Sequence, residues 1–313
     1  MTHMKKTTDP LMQFMVLLMA ALVMFLVVSL LSALLTAATG GGQSLAELYT
    51  LQVVMQVCAL LLPSLWVARR YYRDEMRAFC RFNINGRSWL RALVGCVMLA
   101  LLVPAVDALD AVNQRLTFPA SLAGFEQSLR QAQEATQALT EQMVGAAGAG
   151  RLLVNLLVVA LLPAVCEECF FRMGVQNLLQ RRFGSGRAKG WGTHLAVWLT
   201  AIIFSLVHGE VFSFLPRLLL GALLGYLYAY GNSLVINVAV HFVNNAVVVV
   251  AHWLVASGYW DYDLTTFSAQ PWYTYVAFGV AAVVLFDLFF IHPPRRWRAA
   301  DEALEEVHKP LNE

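Results

Sequence analysis

The chain has 313 residues, of which 59% are apolar and only 13% charged, with a formal net charge of +2. Soluble domains run nearer half apolar and a quarter charged, so this composition excludes a soluble globular enzyme and gives no basic surface for nucleic acid. It reads as an all-α, polytopic membrane helix bundle.

Lys5 and Lys6 precede an apolar run from Leu11 to Ala38 that imitates a signal peptide ending in Thr36-Ala37-Ala38. The run is too long for the apolar core of a leader and long enough to span a bilayer, so it is read as a first helix that is retained. Seven more apolar segments are predicted at Leu48 to Ala68, Trp89 to Val112, Leu152 to Leu179, Thr193 to Val207, Phe214 to Tyr230, Leu234 to Ala256 and Trp272 to Ile291, giving about eight transmembrane helices. Ser44 and Glu47 have capping-box spacing at the start of the second, and Pro63 predicts a kink near its end. Gly221 and Gly225 make a small-residue face on the sixth. Between spans three and four, Leu122, Phe125, Leu129, Ala132, Leu139 and Met143 keep a three-four spacing. That predicts an amphipathic outer helix over 122–143, lying on the bilayer or over the bundle and able to hinge at Gly145, Gly148 and Gly150.

With eight spans, 17 basic residues fall on one side of the membrane: Lys5 and Lys6, the seven arginines from Arg69 to Arg91, Arg181, Arg182, Arg187 and Lys189, and Arg295, Arg296, Arg298 and Lys309. Only Arg115, Arg130, Arg151 and Arg217 fall on the other. Basic loops stay cytoplasmic, so both termini are expected there. Residues 1–151 are read as helices one to three with the outer helix, 152–256 as the functional core, and 257–313 as the last helix with a cytoplasmic tail. Cys58, Cys80, Cys96, Cys166 and Cys169 do not form a secreted disulfide framework and are read as small buried side chains.

Cys166-Glu167-Glu168-Cys169-Phe170-Phe171-Arg172 sets two acids and an arginine inside the fourth span. A charge at that depth costs about 3 kcal/mol or more, so three within two turns need partners or a task. Glu168 and Arg172 share a helix face in the favourable order for an ion pair, while Glu167 points about 100° away and is left free. The fifth span ends on His208, and the seventh carries His241 and Asn245 one turn apart on one face, with Asn244 beside them. From the cytoplasmic ends of their helices, Glu167 lies about 20 Å, His208 about 25 Å and His241 about 15 Å into the membrane, depths that ordinary tilts bring into one layer. An acid, two imidazoles and an amide at one depth permit water activation with stabilisation of an oxyanion. The same Glu167, His208 and His241 are an alternative zinc set with an open position for water, although the chain has no His-Glu-x-x-His motif.

Glu167-Glu168-x-x-x-Arg172, Phe204-x-x-x-His208 and His241-x-x-x-Asn245 resemble the three motifs of the CPBP intramembrane endopeptidases. That family includes type II CAAX prenyl proteases and abortive-infection proteins. The resemblance spans about Leu152 to Ala256. It implies that Glu167 and His208 activate the water, that His241 and Asn245 form the oxyanion site, and that Glu168 and Arg172 are a supporting pair. A glutamate-type protease without a cofactor is the favoured reading, with zinc as the alternative. The expected partners are membrane lipid and a protein or peptide substrate, lipid-modified forms included, and the expected location is a prokaryotic plasma membrane. Two other classes stand beside it: a catalytically silent scaffold or immunity protein on the same fold, and a proton-coupled transporter.

Overall fold

A computed structural model of the chain describes residues 8–38, 44–184, 190–261, 270–294 and 297. Lys5, Lys6, Arg187, Lys189, Arg295, Arg296, Arg298 and Lys309, on which part of the topology reading rests, lie outside the described residues.

The described residues form helices and turns only. We label the main helices α1 Pro10–Ala38, α2 Leu45–Tyr71, α3 Gly86–Gln114, α4 Ala123–Val144, α5 Ala149–Phe183, α6 Trp191–Val207, α7 Phe214–Gly231, α8 Leu234–Ala256 and α9 Trp272–Ile291. Among the described residues, α1, α2, α3, α5, α7 with the turn before it, α8 and α9 are long and apolar enough to cross a membrane. The eighth apolar helix, α6, has 17 residues. At 1.5 Å per residue it is about 26 Å long, just short of the hydrocarbon core. Gly209, at a φ of 71°, takes the left-handed conformation that closes the helix immediately after His208.

The capping box at Ser44 and Glu47 is formed in both directions. Pro63 acts on α2 by widening rather than by kinking alone. Residues Gln56–Leu61 form a π turn, in which the Leu62 N–H bonds to the Val57 carbonyl five residues back. A proline supplies no N–H to the preceding turn and its ring crowds a carbonyl there, and a π turn relieves both. The same arrangement recurs in α5, where Leu156–Leu161 is π-helical ahead of Pro163, and a second π segment, Cys169–Gln176, follows the acidic pair. α2 runs parallel to α5 over most of its length. Tyr49 bonds to Asn155, Gln56 bonds to Glu167, and Ser64 lies beside Gly174.

Gly221 and Gly225 let α7 close on α6. A Cβ at Gly221 would stand 3.1 Å from the Ala201 Cα, and one at Gly225 would stand 2.8 Å from Val197 Cγ1. The same face opens the α7 backbone to α5, so that Arg172 Nη2 donates to the Gly221 carbonyl and Gln176 Nε2 to the Gly225 carbonyl.

The outer helix α4 forms over nearly the predicted range, but its apolar stripe is not what holds it. Leu122, Phe125, Ala132 and Leu139 are exposed, whereas Gln133 is buried and bonds to Ser213. Glu126 ties the N-terminal turn by accepting from the Phe118 N–H at 2.8 Å and from Arg130. At the other end Met143 and Val144 pack with Leu48, Ala160 and Val249. The helix therefore rests on the bundle through its polar flank and its C-terminal end, where Met143 closes the stripe against the core, and turns Leu122, Phe125, Ala132 and Leu139 outward. Tyr259, Trp260, Trp272 and Tyr273, all exposed, mark the interface at the adjoining ends of α8 and α9.

Arg91, counted above with the loop cations, is instead buried in α3. It donates to the Phe289 carbonyl, locking the end of α9 against the bundle. All five cysteines are unpaired.

Candidate active site

Glu167 and Glu168 end the α-helical stretch between the two π segments of α5. A π segment carries one extra residue per turn, so the helix faces before and after it are rotated relative to a regular helix, a device found at functional positions. Here both acids are turned inward. Glu168 and Arg172 are wholly buried and Glu167 is 8% exposed.

The pairing expected from spacing is present, with Arg172 Nε 3.2 Å from Glu168 Oε2. Two charges removed from water at this depth require compensation on every side. Glu168 Oε1 faces His241 Nδ1 at 2.8 Å, and the Arg172 guanidinium lies over the Phe204 ring at 5.1 Å while donating to the Gly221 carbonyl. α8, α6 and α7 thus each contribute to holding a pair that is encoded in one turn of α5.

Glu167 has different neighbours. Its Oε1 accepts from Gln56 Nε2 at 3.0 Å, and its Oε2 lies 3.7 Å from His241 Nε2. That distance is longer than a hydrogen bond, so this oxygen of Glu167 is not directly bonded to the ring. His241 therefore stands between the two acids, bonded to Glu168 on one nitrogen and facing Glu167 with the other. Because a carboxylate only accepts, Nδ1 carries a proton, and Nε2 can donate only when the ring is an imidazolium.

His208 caps the short helix α6. Its Nδ1 is 2.6 Å from the Phe204 carbonyl, which fixes the proton on Nδ1 and leaves Nε2 as an acceptor in the neutral ring. Phe204 packs edge-on against both imidazoles, with centroids 4.8 Å from His208 and 6.1 Å from His241. His208 is thus brought to the site across one aromatic ring, and among the described residues its side chain bonds to the Phe204 backbone rather than to Glu167.

Asn245 faces α5, its Nδ2 at 3.5 Å from the Ala160 carbonyl. Its Oδ1 accepts from Asn244 Nδ2 at 3.2 Å, so the amide is oriented by its neighbour and its own N–H groups are loosely held. Asn244 turns the other way, onto a recess of about 160 Å³ between α3, α7 and α8 that is lined mainly by leucines such as Leu99, Leu102, Leu220 and Leu223.

Among the described residues no group of three His, Cys, Asp or Glu side chains stands ready to hold a metal ion, and each of the two imidazoles is bonded through Nδ1, to Glu168 and to the Phe204 carbonyl, with Nε2 left free. Three polar residues that spacing did not bring forward are part of the site. Gln56 bonds to Glu167, Gln176 extends the Glu168 and Arg172 series by four residues on the same face, and Asn237, one turn before His241, donates to the Leu224 carbonyl at 2.6 Å. Their signal is the one that singled out the acids, a polar side chain inside an apolar run. An amide carries it more weakly because it costs less to bury.

A polytopic helical membrane protein whose buried acid pair on α5 meets His241 of α8, with His208 of α6 across the Phe204 ring, is the class defined by this fold and site. Residues 149–247 match the family model described as Type II CAAX prenyl endopeptidase Rce1-like, and that segment carries Glu167, Glu168, Arg172, His208, His241 and Asn245. No curated protein and no solved structure matches the chain.

Proposed function

We propose that the protein is an intramembrane endopeptidase that hydrolyses a peptide bond of a membrane-associated protein or peptide with a water activated by Glu167. The observation that carries this reading is the unequal treatment of the two acids. Glu168 is paired with Arg172 and bonded to His241 Nδ1, whereas among the described residues Glu167 accepts one bond from an amide on Oε1 and has Oε2 3.7 Å from His241 Nε2, too far for a direct hydrogen bond.

In the proposed reaction Glu167 takes a proton from the water while the water oxygen attacks the scissile carbonyl carbon, and His208 Nε2 orients the same water. The oxyanion that forms is met by Asn245 Nδ2 and by His241 Nε2–H, the imidazolium being held by Glu168 on its far side. As the C–N bond breaks, the protonated Glu167 returns its proton to the departing nitrogen. The scheme requires no metal. The match to prenyl endopeptidases supports a lipid-modified substrate. We further propose that both termini are cytoplasmic and that α4 lies on the outer side.

Full-length protein in detergent, given an internally quenched farnesylated peptide ending in Cys-aliphatic-aliphatic-X, tests the reading. Glu167→Gln is expected to lower kcat by about 10²- to 10⁴-fold. Hydrolysis at the wild-type rate by that variant would sink it. A rate that falls in 1,10-phenanthroline and returns with zinc would overturn the metal-free scheme.

A further inference from the structure

Gln56 has no part in the reaction as written, yet it is the group of α2 that reaches the acidic pair. Its Nε2 donates to Glu167 Oε1 at 3.0 Å, while its own Oε1 is buried with no hydrogen-bond partner. An amide that leaves its acceptor unsatisfied in a membrane interior is unfavourable, and what offsets it here is the bond its N–H makes to a carboxylate. The backbone is shaped around that bond. Gln56 opens the π turn set by Pro63, and α2 lies parallel to α5 in a register that puts residue 56 opposite residue 167.

A carboxylate has two equivalent oxygens and rotates between them unless one is held. With Oε1 held, Oε2 is the oxygen that faces His241 Nε2 across 3.7 Å. The donor is a neutral amide, which orients the carboxylate without adding a charge, while Arg172 is paired with Glu168.

We propose that Gln56 is a positioning residue for Glu167, holding Oε1 so that Oε2 alone receives the proton of the attacking water. This rests on the reading of Glu167 as the base, and the two fail differently. With the same farnesylated peptide, Gln56→Leu is expected to lower kcat about 10- to 100-fold, the worth of a hydrogen bond to a charged group, with KM within about twofold. In Gln56→Glu the N–H donor is lost from a side chain of nearly the same shape, and the same fall in kcat at unchanged KM is expected. This second variant carries the test should leucine unfold the bundle. An unchanged kcat in a folded Gln56 variant, with Glu167→Gln inactive, overturns the inference alone. Full activity in Glu167→Gln overturns the base reading and this inference with it.

Discussion

The two neighbouring glutamates have the same side chain and opposite surroundings. Glu168 lies at 0% exposure between Arg172 and His241 Nδ1, and its charge is matched within the protein. Spacing made this pair visible in the sequence, because Glu168 and Arg172 are four apart on one helix. The third member was not visible in that way, since His241 arrives from 73 residues further along the chain. Replacing Glu168 by Ala leaves a guanidinium buried without an anion. We expect a loss of about 3–5 kcal/mol, read as a lower unfolding midpoint in detergent. Removing both charges in Glu168→Leu with Arg172→Met is expected to recover most of that loss. If the double variant is as unstable as the single one, the pair is not compensated in the way described.

At the scale of elements, the site depends on two local departures from regular helix. The π turns ahead of Pro63 and Pro163 set which way Gln56 and Glu167 face, and the stop at Gly209 leaves His208 at the end of the short helix α6. Both prolines and the His-Gly step are plain in the sequence. Their consequence is not, since a proline in a helix is equally compatible with a kink, and the choice follows from how the neighbouring helices pack. The packing of α6 on α7 is the other requirement. Gly221→Leu would drive a side chain into the Ala201 backbone and draw the Gly221 carbonyl away from Arg172. A cost of about 1–3 kcal/mol is expected, with a matching fall in thermal midpoint. A midpoint equal to wild type would show that the glycine is not needed for close approach.

Over the whole molecule, the apolar segments predicted all correspond to helices, and α8 and α9 have the bounds expected. The outer helix was legible as a helix but not in its mode of attachment, because an apolar stripe suits lipid and a protein neighbour equally well. The structure holds it by Glu126, Gln133 and Val144, with Met143 the buried end of the stripe. If α4 lies outside and the arginines after α2 lie within, a cysteine placed at Gln127 is labelled by a membrane-impermeant maleimide added to intact cells. A cysteine placed at Arg77 is labelled only after lysis. The reverse pattern would invert the proposed topology.

Hydrophobic run length determined the helices from the sequence alone, because a bilayer has a set thickness and a helix a set rise. The same reasoning marked Glu167, Glu168, Arg172, His208, His241 and Asn245, since polar groups are costly in hydrocarbon wherever the helices end up. Only the tertiary structure decided their partners: His241 between the two acids, His208 one aromatic ring away, Gln56 on Oε1 of Glu167. Those assignments depend on rotation and register between helices far apart in the chain. Both come from side-chain packing and π turns, which sequence spacing within a single helix does not contain.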